Sequence, residues 1–172
     1  MDVRLAFLLS RAEEALPRLQ ALGLGAEVYL DPALLEEDAL FQSLRRRLPG
    51  RVSVHLPFWN LDLLSPDPEV RGLTLRRLLF GLDRAAELGA DRAVFHSGIP
   101  HGRTPEEALE RALPLAEALG LVVRRARTLG VRRFWRPMPG SLASALTPPT
   151  PGSSAGPPTP GPGLPWAPST CT

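Results

Sequence analysis

The side chains best suited to chemistry in this 172-residue chain are its three histidines, His55, His96 and His101. His55 and His96 each end a short, largely apolar run typical of a strand, and His101 follows in a loop shaped by Gly and Pro. Histidine is the commonest metal ligand in proteins. A lone histidine at a strand end is more often a core or loop residue. When two histidines end neighbouring strands at matching positions, a metal site and a packing role are about equally favoured.

Few carboxylates are placed to complete such a site. Catalytic zinc usually has three protein ligands, and here Asp31, after the second predicted strand, is the one acidic residue at a comparable position. Asp62 lies in the loop after His55. We expect Asp31 to cap a helix and Asp62 to be a solvated loop residue, and the sequence assigns no catalytic residue.

Phe58, Trp59 and His101 are the predicted substrate-binding residues. Phe58 and Trp59 follow His55 in its loop, where aromatic rings can stack on a sugar or a base. Packing against a neighbouring helix would explain both equally well. His101, just past a strand end, could contact substrate or phosphate, and a solvated loop histidine is the simpler alternative.

The elements that must position these residues alternate between strands and helices. Strands are predicted at 5–9, 26–30, 51–55 and 92–96, with a fifth starting at 130–131. Helices should begin after Ser10, Asp31, Asp67 and Thr104, which are all good N-cap residues, and Pro114 should kink the last helix or divide it. Four successive strand–helix units imply a parallel α/β sheet with right-handed crossovers. The pattern does not separate an open sheet from a barrel, although no Gly-rich loop follows the first strand, as a dinucleotide fold would require.

The last part of the chain differs in composition from the rest. Residues 137–172 contain no charged side chain and eleven of the 20 prolines, so they should be disordered or partly polyproline II. We therefore predict two regions: residues 1–131 as a partial barrel and 132–172 as a low-complexity tail. A deletion with a frameshift near residue 132 would explain the abrupt change, and the gene sequence would test that hypothesis.

Composition excludes several classes of protein. The net charge of +2 is small, and the one basic cluster, Arg45 to Arg47, falls near the end of a predicted helix, where cations complement the helix dipole. We therefore do not expect a nucleic-acid partner. The mean hydropathy of −0.03 and the lack of a long apolar run argue against a membrane span. A single cysteine cannot form an internal disulfide, and we read no signal peptide, so the expected location is the cytoplasm.

Several of these segments together resemble the xylose-isomerase-like TIM-barrel superfamily, which includes sugar isomerases and epimerases and metal-dependent apurinic endonucleases. The stretches that carry the resemblance are residues 52–58 (VSVHLPF), 60–61 (NL), 65–71 (SPDPEVR), 85–90 (AAELGA) and 94–98 (VFHSG). The similarity extends more loosely over residues 1–131. It implies a partial (β/α)8 barrel of about four βα units and the start of a fifth strand.

The resemblance also implies a site and its chemistry. His55 and His96 correspond to family ligands of a divalent metal (Zn, Mn or Mg), and a sugar or sugar phosphate would be the substrate. In the family, Pro ordinarily stands at the position of Ser97, and the next strand ends in a metal-binding Glu. Here Val131 leads into RRFWR, and that Glu and the later Asp, His and Glu ligands are missing.

Three functional interpretations follow. The first is a truncated sugar (phosphate) isomerase or epimerase that is inactive alone, since a full barrel needs ~250 residues. The second is an apurinic endonuclease that hydrolyses phosphodiesters in DNA repair. The third is a non-catalytic half-barrel that acts only by association, for example self-association through exposed sheet edges.

Overall fold

The computed structural model describes residues 3–98 and 104–135, which form a five-stranded parallel sheet covered by helices on one face. The strands are β1 (Arg4–Leu8), β2 (Gly25–Tyr29), β3 (Val52–His55), β4 (Arg92–Phe95) and β5 (Arg132–Trp135). The helices are α1 (Ala12–Leu22), α2 (Asp38–Arg47), α3 (Pro68–Glu87) and α4 (Pro105–Thr128), with short 3-10 turns at Leu9–Arg11 and Pro32–Leu34.

The strand order settles the question that the sequence left open. Each strand pairs with the next along the chain, in the order β1-β2-β3-β4-β5. Doubly wound sheets reverse direction at a switch point, as in the order 3-2-1-4-5, whereas barrel strands follow one another around the wall. The fold is therefore a partial (β/α)8 barrel, as predicted.

The hydrophobic core lies between the sheet and the helices. Alternate strand residues face the helices, and among them Ala26, Val28, Val54 and Ala93 are fully buried. They pack with helix residues that are also almost fully buried, including Leu16, Leu44, Leu78, Leu82 and Val122. The predicted apolar face of α3 is confirmed, since Leu78, Leu82 and Ala85 are buried while Leu75, Leu79 and Ala86 pack against the core.

The other face of the sheet is the inner wall of the barrel. The register places Leu8 beside Tyr29, Tyr29 beside His55, and His55 beside Val94 in one row. The prediction that the first strand is buried on both faces was wrong, because Ala6 is exposed and Leu8 is 39% exposed. β1 is the end strand of the described sheet, so its inner-face side chains have a neighbouring strand on one side only.

Two of the predicted N-caps start their helices as expected. Asp67 accepts a hydrogen bond from the Glu69 amide before α3. Thr104 forms a full capping box with Glu107 before α4. Pro114 lies inside α4, which is one continuous helix rather than two.

The other two predicted caps needed correction. Ser10 lies within the 3-10 turn anchored by buried Leu9, and α1 starts only after Arg11 with no side-chain cap. Asp31 does cap, accepting from the Ala33 amide, but it caps the short turn Pro32–Leu34. The predicted helix breaks after that turn because Leu35 enters the core and its carbonyl accepts a hydrogen bond from Arg84.

Arg84 ties α3 to the first turn of α2. Its side chain is 10% exposed and forms ion pairs with Asp38 and Glu87, while its guanidinium lies over the rings of Phe41 and Phe80. Burial opposes its charge, but the hydrogen bonds to Asp38 and Glu87 outweigh burial and raise the pKa of Arg84.

A second ion pair links β1 to the residue that precedes β4, at the amino ends of the strands. Arg4 donates from Nη1 and Nη2 to the two carboxylate oxygens of Asp91, at 2.9 and 3.1 Å. The hydrogen bonds from Arg4 lower the pKa of Asp91, against the opposing effect of burial and with help from the charges of Arg92 and Arg132.

β5 extends to Trp135, four residues past the predicted domain boundary at 131. The rest of the predicted tail, residues 136–172, lies outside the described residues, so the boundary, the disorder and the frameshift stay predictions. No helix within the described ranges is long and apolar enough to cross a bilayer.

Candidate metal centre

His55 and His96 meet at the carboxyl-end rim of the sheet. His55 is the last residue of β3, and His96 directly follows the last residue of β4. Their Nε2 atoms lie 3.1 Å apart, and the ring centroids are 5.0 Å apart. Active sites of this fold lie at this end of the strands, so the structure brings the two predicted ligands together at the expected rim.

A backbone hydrogen bond sets the tautomer of His55. Its Nδ1 lies 2.9 Å from the carbonyl oxygen of Leu56. A carbonyl only accepts, so Nδ1 carries the hydrogen and Nε2 of the neutral ring presents its lone pair. This is the arrangement typical of a metal-binding histidine, whose other nitrogen donates to a carbonyl or a carboxylate.

Aromatic rings enclose the His55 imidazole, which is only 6% exposed. The Tyr29 ring stacks on it at 4.7 Å with an interplanar angle of 6°. Phe58 approaches edge-on at 4.8 Å and also contacts His96, with centroids 5.9 Å apart. Trp59 packs on Phe58 and is 44% exposed. The two histidines therefore lie against an aromatic cluster formed by Tyr29, Phe58 and Trp59.

The loop that carries Phe58 and Trp59 is fixed to the neighbouring strand end. The Leu63 amide donates to the carbonyl of Ser97 at 3.0 Å, and the Asp62 amide donates to Thr74 Oγ1 at 2.9 Å. Asp62 Oδ1 accepts from the Leu64 amide at 2.7 Å. Asp62 is thus a partly buried residue that shapes the loop, and the expectation of a solvated side chain was wrong.

Close contact with Gly98 completes this arrangement. Gly98 has φ +111°, a conformation that side chains rarely adopt, and a Cβ there would lie 2.7 Å from Asp62 Cγ and overlap Oδ1. A glycine at this position lets the loop pack directly onto the segment that follows β4.

The donor pair fits a transition metal. Two nitrogens bound to zinc at about 2.0–2.1 Å in tetrahedral geometry lie ~3.3 Å apart, close to the observed 3.1 Å. Within residues 3–98 and 104–135, no group of three or more His, Cys, Asp or Glu side chains could hold an ion. Asp31 and Asp62, the carboxylates considered above, both accept from backbone amides in turns. Among the described residues, the two histidine nitrogens are therefore the donors that converge at this rim.

The remaining predicted site residues have different outcomes. His101 lies outside the described residues. Phe58 and Trp59 lie at the rim, and their role in binding substrate stays a prediction. Tyr29 was missed as a site residue. The available signal was its position at the end of the second strand, which the parallel register pairs with the end of the third.

Comparison with solved structures places the chain beside proteins of similar fold. It is 93% identical to the TTHB071 protein of Thermus thermophilus, solved after soaking with ZnCl2, with a TM-score of 0.73 over 80% of this chain and 56% of that one. A D-tagatose 3-epimerase-like protein is 22% identical, with a TM-score of 0.68 over 81% of this chain and 54% of the other. A 3-keto-D-glucoside 4-epimerase from E. coli is 17% identical, with a TM-score of 0.61 over 80% and 56%.

The chain thus spans little more than half the length of each of these proteins. No protein of curated function matches it in sequence. The sequence model of the family described as "xylose isomerase-like TIM barrel" matches residues 19–147, which is well over half of the chain. Together with the strand order and the paired histidines at the rim, this match shows that the chain belongs to the xylose isomerase-like TIM-barrel family.

Proposed function

We propose that this chain carries two ligands, His55 and His96, of a divalent-metal centre that serves the isomerisation or epimerisation of a sugar or sugar phosphate. The observation that carries the proposal is the 3.1 Å approach of the two Nε2 atoms at the strand-end rim. The epimerases of similar fold and the family match support the substrate class.

The donor chemistry favours zinc among the expected metals. Imidazole nitrogen suits Zn, whereas Mg and Mn prefer carboxylate, carbonyl and water ligands. Crystals of the similar TTHB071 protein were soaked with ZnCl2, which makes zinc the first metal to test. A divalent ion bound here would polarise a carbonyl or hydroxyl oxygen of the sugar. His55 and His96 would hold that ion, and the aromatic cluster would exclude water on one side and offer the exposed Trp59 ring to a sugar face.

We further propose that this chain does not turn over substrate alone. Epimerisation needs a base that moves a proton, and the sequence contains no Asp or Glu after Glu117 and no His after His101. A two-histidine site would bind metal weakly, and none of the residues that the structure describes adds a carboxylate to the pair for proton transfer.

The metal site is tested by titrating the purified chain with Zn²⁺, Mn²⁺ and Mg²⁺ in a calorimeter. We expect Zn²⁺ to bind most tightly, and His55→Ala and His96→Ala each to abolish that binding. Leu22→Ala, at a residue that is 66% exposed on α1, is the control and should bind like the wild type. If the wild type takes up none of these metals, the proposal fails.

Activity assays separate the remaining alternatives. With Zn²⁺ or Mn²⁺ present, we expect no epimerisation of D-tagatose or D-fructose and no cleavage of an abasic DNA duplex. Sugar turnover would contradict the proposed inactivity. Cleavage of abasic DNA would favour the endonuclease interpretation instead.

We also propose that the chain self-associates through β1, the end strand of the described sheet. Leu8 on this strand is 39% exposed and Val3, just before it, is 42% exposed, and an open edge strand is a template for pairing with another chain. Sedimentation velocity at increasing concentration should show a dimer that Leu8→Arg weakens. A monomer at all concentrations would contradict this proposal.

A further inference from the structure

The contact between Tyr29 and His55 has the geometry of a positioning contact. The two residues are Cα partners in the parallel register of β2 and β3. Their rings are 6° from parallel with centroids 4.7 Å apart. Neighbouring parallel strands lie about 4.8 Å apart, so the stack follows directly from the strand spacing, with both side chains on the inner face of the sheet.

Two restraints then act on different motions of the His55 ring. The hydrogen bond from Nδ1 to the Leu56 carbonyl determines which nitrogen faces away from the backbone. It leaves the ring free to tilt around the direction of that bond. The Tyr29 face on one side and the Phe58 edge at 4.8 Å fix the ring plane. With both restraints present, the lone pair of Nε2 is aimed at His96, 3.1 Å away.

We propose that Tyr29 is a positioning residue for metal binding, which holds the His55 imidazole in the plane where its Nε2 converges with Nε2 of His96. This inference rests on the proposed function of the histidine pair. The stacked ring is what matters, so the Tyr29 hydroxyl is dispensable. Stacked aromatic pairs contribute about 0.5–1.5 kcal/mol, which corresponds to a change in affinity of about 2- to 12-fold.

The experiment is a titration of the full-length chain with Co²⁺ alone, followed by its visible absorption, for the wild type, Tyr29→Phe and Tyr29→Leu. We expect Tyr29→Leu to raise the Kd for Co²⁺ about 3- to 10-fold, and Tyr29→Phe to stay within about twofold of the wild type. Thermal unfolding by circular dichroism checks that both variants fold. If Tyr29→Leu does not fold, Tyr29→Met replaces it.

A second measurement needs no metal. In ¹⁵N NMR spectra, the His55 ring of the wild type should show one tautomer, with hydrogen on Nδ1. We expect Tyr29→Phe to keep this pattern, and Tyr29→Leu to keep the tautomer but broaden the His55 ring signals, because the ring plane is no longer fixed. A purely structural role for Tyr29 would change stability and leave both the ring signals and the Co²⁺ affinity unchanged.

The outcomes distinguish this inference from the proposal beneath it. If His55→Ala binds Co²⁺ as the wild type does, or the wild type binds none, the metal site itself is refuted. If the wild type binds Co²⁺ through His55 but Tyr29→Leu binds equally well, only the positioning role is refuted. The positioning role of the ring is also refuted if Tyr29→Phe binds Co²⁺ as weakly as Tyr29→Leu does, because the hydroxyl would then be the important group.

Discussion

Replacing Gly98 with alanine tests how the loop after β3 is held over the strand ends. The substitution places a Cβ where Asp62 Oδ1 now lies and forces a side chain into φ +111°. Either the loop moves away or the backbone at position 98 changes. Both responses disturb the Asp62 carboxylate that accepts from the Leu64 amide at 2.7 Å.

The expected loss of stability is the sum of two effects. A non-glycine residue in a rarely populated backbone region costs about 1–3 kcal/mol. Loss of the Asp62 hydrogen bond adds about 1 kcal/mol. Gly98→Ala should therefore lower the free energy of unfolding by about 2–4 kcal/mol, as measured by urea denaturation followed by circular dichroism.

Gly89 supplies the matched control. It also has positive φ, +71°, but nothing lies within 4 Å of an added Cβ, so Gly89→Ala should cost only about 1–2 kcal/mol of backbone strain. Asp62→Ala removes the overlapping side chain. Adding Gly98→Ala to Asp62→Ala should cost about 1 kcal/mol less than adding it to the wild type.

Two results would refute this reasoning. If Gly98→Ala costs no more than Gly89→Ala, the overlap with Asp62 does not hold the loop in place. If the costs of Gly98→Ala and Asp62→Ala are simply additive, the two residues are not in the contact described.

Three further sets of substitutions test an ion pair, a buried hydrogen bond and a helix cap. Asp91→Asn should lower stability by about 1 kcal/mol at neutral pH, because the carboxylate is 37% exposed and solvent screens its pair with Arg4. The pKa of Asp91 is lowered in the fold, chiefly by the hydrogen bonds from Arg4. Its contribution is therefore present above the unfolded value of 3.8 and is lost as the pH falls through the lower folded value; a stability difference that does not shrink as the pH is lowered would contradict this. Arg84→Met should cost about 2–3 kcal/mol in urea, since the buried Leu35 carbonyl loses its donor, and a loss under 1 kcal/mol would show that the contact is dispensable. Thr104→Ala should cost about 1 kcal/mol and Thr104→Ser much less; equal losses would rule out the capping hydroxyl.

The sequence predicted most of the fold because local signals and tertiary structure agree along much of the chain. Asp67-Pro68 and Thr104-Pro105 start helices whose apolar faces meet the same core. The predictions failed where a tertiary contact overrides the local pattern. The helix expected after Asp31 is interrupted because the Leu35 carbonyl accepts a hydrogen bond from Arg84, which is 49 residues further along the chain than Leu35. No local pattern contains that information.

The position of the two histidines at the rim was predictable from the sequence, but only part of their surroundings was. His55 and His96 could be placed at the rim from their positions at strand ends alone. Tyr29 was missed because its role depends on the inter-strand register, which pairs it with His55. Asp62 was misjudged because its neighbour Gly98 belongs to another strand–loop unit.

The acceptor that selects the tautomer of His55 is the peptide oxygen of Leu56 rather than a side chain. In many metalloproteins a carboxylate has this role, and a single codon change removes it. Here every amino acid at position 56 supplies the same oxygen, so the electronic state of the imidazole is independent of the identity of that residue. Substitutions around the site can therefore change the neighbouring groups without changing which nitrogen of His55 faces His96.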